Sequence, residues 1–270
     1  MVRAMANPID EAAIRFGACR LHPRVAASLP GFCKTLAARL ERGVSPVTYA
    51  SYEELLQGFI AGQIELCWMP PVLLAQALAA GGTLLAVPQR AGNAGYRAAI
   101  LVRKESAVRE LNDLRGLRAA WVDRASSSGY LYPRLELVRR LGFGDAPPFS
   151  SELFHGATVR AAAAVAAGEA DLCACFVTEG AAKDPAQAEA DLRRALGPLA
   201  ERLRALHIGE AIPPDGMVAP AHLPPALRDA LSDALLSLHA EPDGQQALSA
   251  LLQAGELRAP PDAAAFPRAV

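Results

Sequence analysis

Short apolar runs bounded by turn residues alternate, through the first third of the chain, with stretches whose apolar residues recur at helical spacing. The runs at 14–21, 47–50, 64–69 and 84–88 predict strands, and the periodic stretches at 32–42, 52–61 and 72–80 predict helices. In the second helix Leu55, Leu56, Phe59 and Ile60 share a face. Ser51 just ahead of Tyr52, with Glu54 three residues on, is the pattern of a capped helix start. Strand and helix in alternation argue for a sheet with parallel strands wrapped by helices.

At 91–96 the chain turns to Ala-Gly-Asn-Ala-Gly-Tyr, a first candidate hinge, followed by a strong strand at 97–102. A second block then repeats the cadence without repeating the sequence: strand 117–122, helix 130–141, strand 152–154, helix 159–167, strand 171–177. Residues 185–203 read as one or two helices interrupted near Gly197 and Pro198, and 204–208 as a strand returning toward the first block. Ile212-Pro213-Pro214-Asp215-Gly216 is a rigid turn, because adjacent prolines exclude helix. A helical tail spans 224–253, and 258–270 reads as a loosely packed end. The expected layout is an α/β two-lobed clamshell: 1–95 as the first part of lobe 1, 96–205 as lobe 2, and 206–270 returning to lobe 1. One continuous doubly wound sheet is the plainer alternative.

With 270 residues and 52% hydrophobic content the chain can bury a substantial core, which excludes disorder as its main state. Lys plus Arg at 27 against Asp plus Glu at 28 leaves a net charge of −1, so no global field draws it to nucleic acid or anionic lipid. Any anion is captured locally. Residues 1–11 carry Arg3, Asp10 and Glu11 and lack the apolar run of about 7–15 residues that a secretory signal needs. As it stands the chain reads as cytoplasmic, or periplasmic if a leader has been removed. The uncharged stretch 66–89 is punctuated by Pro70, Pro71, Gly81, Gly82 and Pro88, and reads as strand, helix and strand instead of a membrane span. Cys19, Cys33, Cys67, Cys173 and Cys175 form no CxxC pair and no metal-ligand spacing with histidine, so they read as small buried hydrophobes.

The chemistry concentrates in Asp123-Arg124-Ala125-Ser126-Ser127-Ser128-Gly129-Tyr130, between a predicted strand and a predicted helix. A strand-loop-helix junction aims unsatisfied backbone N–H groups, and the positive end of the helix dipole, at whatever lies in front of it. Three adjacent hydroxyls add donors without adding charge, and Gly129 lets the backbone approach closely. The plainer reading is one N-cap serine beside two solvated turn residues.

Six pieces lie in the order found in one known family: Ser51-Tyr52-Glu53-Glu54-Leu55-Leu56; Gly62-Gln63-Ile64-Glu65-Leu66-Cys67-Trp68; Leu111-Asn112-Asp113-Leu114-Arg115-Gly116; residues 126–130 with Pro133; Ala164-Val165 with Gly168 and Asp171; and Ile212-Pro213-Pro214-Asp215. In these the chain resembles the phosphonate-binding family, the solute-binding components of phosphate, phosphite and phosphonate ABC transporters. The resemblance implies the type 2 periplasmic-binding-protein fold, with mixed sheets wrapped by helices and two hinge crossings. It implies that Ser126, Ser127, Ser128 and Gly129 form the loop that holds the phosphonate oxygens, and that Tyr52 and Tyr96 set aromatic hydroxyls over the cleft. It also implies that Asp215 falls near an acidic position that can meet an amino group of the ligand. Thr158 stands where the family has a histidine, with His155 three residues earlier, and Trp68-Met69-Pro70-Pro71 replaces the small or glycine-containing turn, which would narrow or reshape the cleft. Arg20 and His22, at the end of the first strand, add a cation and an imidazole where ligands tend to bind.

The expected function is capture of a small oxyanion, phosphonate-like, phosphate-like or carboxylate, by a transport receptor working with an ABC permease or by a cytoplasmic sensor working with a regulatory protein. Neither a cofactor nor a metal is expected, and neither nucleic acid binding nor membrane insertion. The alternative is a lyase- or synthase-type enzyme on the same clamshell, with His22, His155 or Asp215 as acid or base. Against it, there is no Ser-His-Asp or Cys-His arrangement and no Walker loop.

Overall fold

The computed structural model describes residues 13–20, 23–90, 92, 95–142 and 148–260. Its first sheet takes strands β1 (Ile14–Cys19), β2 (Val44–Tyr49), β3 (Leu66–Met69) and β4 (Thr83–Gln89), and helices α1 (Pro23–Leu40), α2 (Tyr52–Ile60) and α3 (Pro71–Ala79) connect them. The chain then crosses to a second sheet of β5 (Tyr96–Arg103), β6 (Arg118–Trp121), β7 (Ser151–Phe154), β8 (Leu172–Thr178) and β9 (Leu203–Ile212). Here the helices are α4 (Tyr132–Leu141), α5 (Thr158–Ala167) and α6 (Pro185–Leu196). After a second crossing, β10 (Gly216–Ala219), α7 (Pro225–Ser237), α8 (Pro242–Leu252) and β11 (Glu256–Arg258) return to the first sheet.

The strand orders are β11-β4-β10-β3-β1-β2 and β7-β6-β8-β5-β9. Both sheets are mixed: β1 runs parallel to β2 and β3, while β10 runs antiparallel to β3 and β4. In the second, β6 is parallel to β7 and β8, while β5 is antiparallel to β8 and β9. Each sheet is packed on both faces. On the first, Phe16, Phe32, Leu36, Leu231 and Leu248 fill one side, and Leu55, Phe59, Ile64 and Leu74 the other. On the second, Ala-rich α5 packs against Cys173 and Cys175 on one side, and Trp121, Leu137 and Phe149 fill the other. All five cysteines are buried thiols, and burial pushes the Cys33 thiol up to about 12.

Several elements differ from the sequence expectation for identifiable reasons. Helix α1 begins at Pro23, well before residue 32, and contains Pro30. The proline forfeits one backbone hydrogen bond, but Val25, Leu29, Phe32, Cys33 and Leu36 form one buried face that outweighs it. The strand expected at 204–208 runs from Leu203 to Ile212 and pairs with β5, so it belongs to the second sheet and the return to the first begins at Pro213. The helical tail is two helices, broken where Glu241 adopts an extended conformation ahead of Pro242. Beyond the tail, Glu256–Arg258 is a strand on β4 that takes in only the first residue of the loose end expected at 258–270, and residues 261–270 lie outside the described residues.

The second sheet is pinned at one end by Asp171, whose carboxylate accepts from the Arg118 backbone N–H at 3.0 Å, Arg118 Nε at 2.9 Å and Arg118 Nη2 at 2.8 Å. Arg118 thereby holds the Asp171 carboxyl below the usual aspartate range, against an opposing effect of burial. A depressed folded pKa adds stability above the ordinary value, about 3.9, and that stability is lost as pH falls through the folded value. Asp171→Asn is therefore expected to lower the urea midpoint modestly at pH 7, with the gap to wild type closing toward pH 3 and below. A gap that persists unchanged at acid pH would show that the carboxylate's charge contributes nothing.

Candidate functional site

Between the two sheets lies a cavity of about 230 Å³, to which both contribute. From the first come Tyr52 at the start of α2, Trp68 in β3 and Pro70 just ahead of α3. From the second come Tyr96 at the start of β5, the serine loop after β6, and Thr158 as the first residue of α5. These residues are far apart in sequence but converge because both parent sheets present helix N-termini toward the same gap.

The serine loop has a specific local structure. Asp123 Oδ1 accepts from the Ala125 N–H at 2.8 Å, which turns the chain after β6. Ser126 then caps the next element, its Oγ accepting from the Gly129 N–H at 3.2 Å. Residues Ser127–Leu131 form a π-helical turn that runs directly into α4. Gly129 does not line the cavity; a Cβ there would stand 2.4 Å from Val122 Cγ2, so the absence of a side chain lets the loop pack closely on the end of β6.

Ser127 is the singular member of the loop. It is only 2% exposed, it faces the cavity, and its Oγ has no hydrogen-bond partner. The Tyr96 hydroxyl is close enough to be influenced by it, yet no hydrogen bond of good geometry closes between them. A buried hydroxyl left unpaired costs about 1–3 kcal/mol, which a bound acceptor would recover.

Tyr96 and Tyr52 are both buried. Burial drives both phenols well above their ordinary pKa, with the nearby Asp215 charge adding to it, so both remain O–H donors at any physiological pH. Helix α5 begins without a side-chain cap, Ala157 occupying the N-cap position, so its first N–H groups add to the positive end of the helix dipole beside Thr158. Hydroxyls, phenols and uncapped N–H groups together form a donor-rich, uncharged lining.

Asp215 departs from the sequence expectation. It is 2% exposed, and both its oxygens are taken: Arg90 Nη1 donates to Oδ1 at 2.6 Å, Arg90 Nη2 to Oδ2 at 2.8 Å, and Trp68 Nε1 to Oδ2 at 2.5 Å. Arg90 is itself buried, donates from Nε to the Leu252 carbonyl at 2.9 Å, and lies 5.6 Å from the centroid of the Phe176 ring. Burial lowers the affinity of its guanidinium for a proton, but the Asp215 charge more than reverses this. Sequence reasoning missed Arg90 and Phe176. A signal for Arg90 existed: it is the only charged residue between Glu65 and Arg97.

The remaining expected residues fall elsewhere. Arg20 is exposed at the end of β1 and does not line the cavity, because the strand ends with its side chain in solvent. His155, just after β7, is half-buried with its backbone N–H on the Trp121 carbonyl, and does not line the cavity either. His22 lies outside the described residues. Of the two acid/base candidates among the described residues, therefore, only Asp215 reaches the cavity, and it does so as half of an ion pair. Among the described residues no cluster of His, Cys, Asp and Glu could hold a metal ion.

The family described as "ABC transporter, phosphonate, periplasmic substrate-binding protein" matches residues 21–264. The chain belongs to that family. The Phosphate-import protein PhnD of Mycolicibacterium smegmatis is 28% identical over 162 residues, which is 56% of this chain and 50% of that protein. The chain thus matches about half the length of that curated relative. Among solved structures, PhnD1 from Prochlorococcus marinus in complex with methylphosphonate superposes with a TM-score of 0.77 at 17% identity, over 93% of each chain. A binding protein component of an ABC phosphonate transporter from Pseudomonas aeruginosa gives 0.78 at 22% identity, covering 94% of this chain and 83% of that one. These likenesses establish the fold as the two-lobed clamshell of type 2 periplasmic binding proteins. No helix among the described residues is long and apolar enough to cross a membrane.

Proposed function

We propose that this member of the phosphonate-binding family is a solute receptor whose lobes close on a small phosphonate- or phosphate-like oxyanion. The hydroxyls of Ser126, Ser127, Ser128, Thr158, Tyr52 and Tyr96 hold the oxygens, with the uncapped start of α5. The lobes divide at the two crossings, between β4 and β5 and at residues 213–215. An ABC permease is the partner, and its compartment is the family's, the periplasm. The observation that carries the reading is the buried, unpartnered Ser127 hydroxyl facing a cavity rich in donors.

The magnitudes suffice. A hydrogen bond to a charged group contributes about 1.5–3 kcal/mol, and four or five of them, less the cost of ordering, approach about −8 kcal/mol, or micromolar affinity. Trp68 lines the cavity and supplies the optical signal, whereas Trp121 is buried in the second sheet with its Nε1 on Glu152 at 2.8 Å. Titration with methylphosphonate and inorganic phosphate is expected to give a saturable change in Trp68 fluorescence and a matching calorimetric heat, with small dicarboxylates much weaker. No response to either phosphorus anion at millimolar concentration defeats the reading.

A further inference from the structure

Among the described residues one acidic side chain lines the cavity, and it is neutralised from within the protein, which bears on the substituent of the ligand. Asp215 receives three hydrogen bonds, two from Arg90 and one from Trp68. A carboxylate offers about four acceptor positions, so one at most remains, and the pair as a whole carries no net charge. No other carboxylate lines the cavity among the described residues. Away from the Tyr52 and Tyr96 phenols the pair borders apolar groups: the Trp68 ring, the Phe176 ring beside the guanidinium, and Leu252, with Pro70 and Val159 also in the lining.

An ammonium group brought to this end would be stripped of water and find attraction from Asp215 cancelled by repulsion from Arg90. Desolvating an ion without a partner is costly, whereas an alkyl group gains about 0.8 kcal/mol per methylene buried. Volume points the same way. The cavity of about 230 Å³ is several times the volume of one water, about 30 Å³, and leaves room beside the oxyanion head for a short substituent.

Resting on the function proposed above, we infer that the Arg90–Asp215–Trp68 cluster is a specificity device that selects organophosphonates with a short uncharged substituent and rejects aminoalkylphosphonates. The oxyanion head sits at the serine loop and the carbon substituent lies against Trp68 and Phe176. Arg90 and Asp215 act by cancelling each other's charge, and Trp68 completes the cancellation by occupying a third acceptor site.

The test compares n-propylphosphonate with 2-aminoethylphosphonate, which have the same number of heavy atoms and differ in terminal charge, by calorimetry on the full chain at pH 7. Propylphosphonate is expected to bind at least ten-fold more tightly, and Arg90→Gln, which frees Asp215, to narrow or reverse the ratio. Equal or tighter binding of the amino compound by wild type overturns the inference, as does binding of methylphosphonate without propylphosphonate. The wild-type comparison decides alone should Arg90→Gln not fold. Failure of methylphosphonate, phosphate and propylphosphonate together instead overturns the receptor reading itself, and the inference with it.

Discussion

Ser127→Ala is expected to weaken methylphosphonate binding about 10- to 100-fold while leaving the unfolding midpoint unchanged or slightly raised. Both halves follow from one observation, a hydroxyl that is 2% exposed and makes no hydrogen bond within the protein. Removing it costs the free protein little beyond its approach to the Tyr96 hydroxyl, and relieves a buried group without a well-formed hydrogen bond. In the complex it removes one charge-assisted bond of about 1.5–3 kcal/mol, and every 1.4 kcal/mol is tenfold in affinity. Ser128→Ala, at a half-buried position where water can substitute, is expected to cost less. Calorimetry together with urea unfolding separates the two effects. Unchanged affinity in Ser127→Ala would remove the serine loop from the site, however well the fold matches its family.

The largest expected loss of stability comes from Asp215→Ala. It strands the Arg90 guanidinium, 6% exposed, with the Leu252 carbonyl as its remaining hydrogen-bond acceptor among the described residues, and takes the acceptor from Trp68 Nε1. Breaking a buried pair from one side costs about 3–5 kcal/mol, because the surviving charge is left uncompensated. Replacing both partners with apolar residues of similar volume, as in Arg90→Met with Asp215→Leu, is expected to return stability to near the wild-type level or above it. The position of the pair magnifies the effect: Arg90 follows β4 and Asp215 precedes β10, so it ties the two crossings together beneath the cavity. A denaturation midpoint shifted by less than about 1 kcal/mol in Asp215→Ala would show a solvated pair instead of a buried one.

What was legible from residues alone was local. The helix start at Ser51 is read correctly from spacing, since Ser51 Oγ accepts from the Glu54 N–H at 3.1 Å, although the Glu54 carboxylate reaches the Ala50 N–H instead of that of Ser51. The strand-loop-helix junction at Ser126 was legible for the same reason: a cap and its turn are decided within a few residues. Where a distant surface decides, the local signal failed. Pro30 masks the first half of α1 because the compensating apolar face is buried by α7, α8 and the sheet. The extent of β9 beyond residue 208 depends on pairing with β5, more than a hundred residues earlier.

The same division governs the site. Order and spacing of residue types determined that an uncharged, donor-rich loop opens a helix, that no global charge steers ligands, and that the six pieces follow the family's order. Only the tertiary structure decided which of those residues meet: it turned Arg20 into solvent, put Gly129 behind the loop, and joined Arg90 to Asp215 across 125 positions. A hydrogen bond to a neighbour is written in the local chain, but the partner of a buried charge is selected by how two sheets pack. An acidic residue that reads as a contact for a cation is therefore, once folded, a charge already spent on its own arginine.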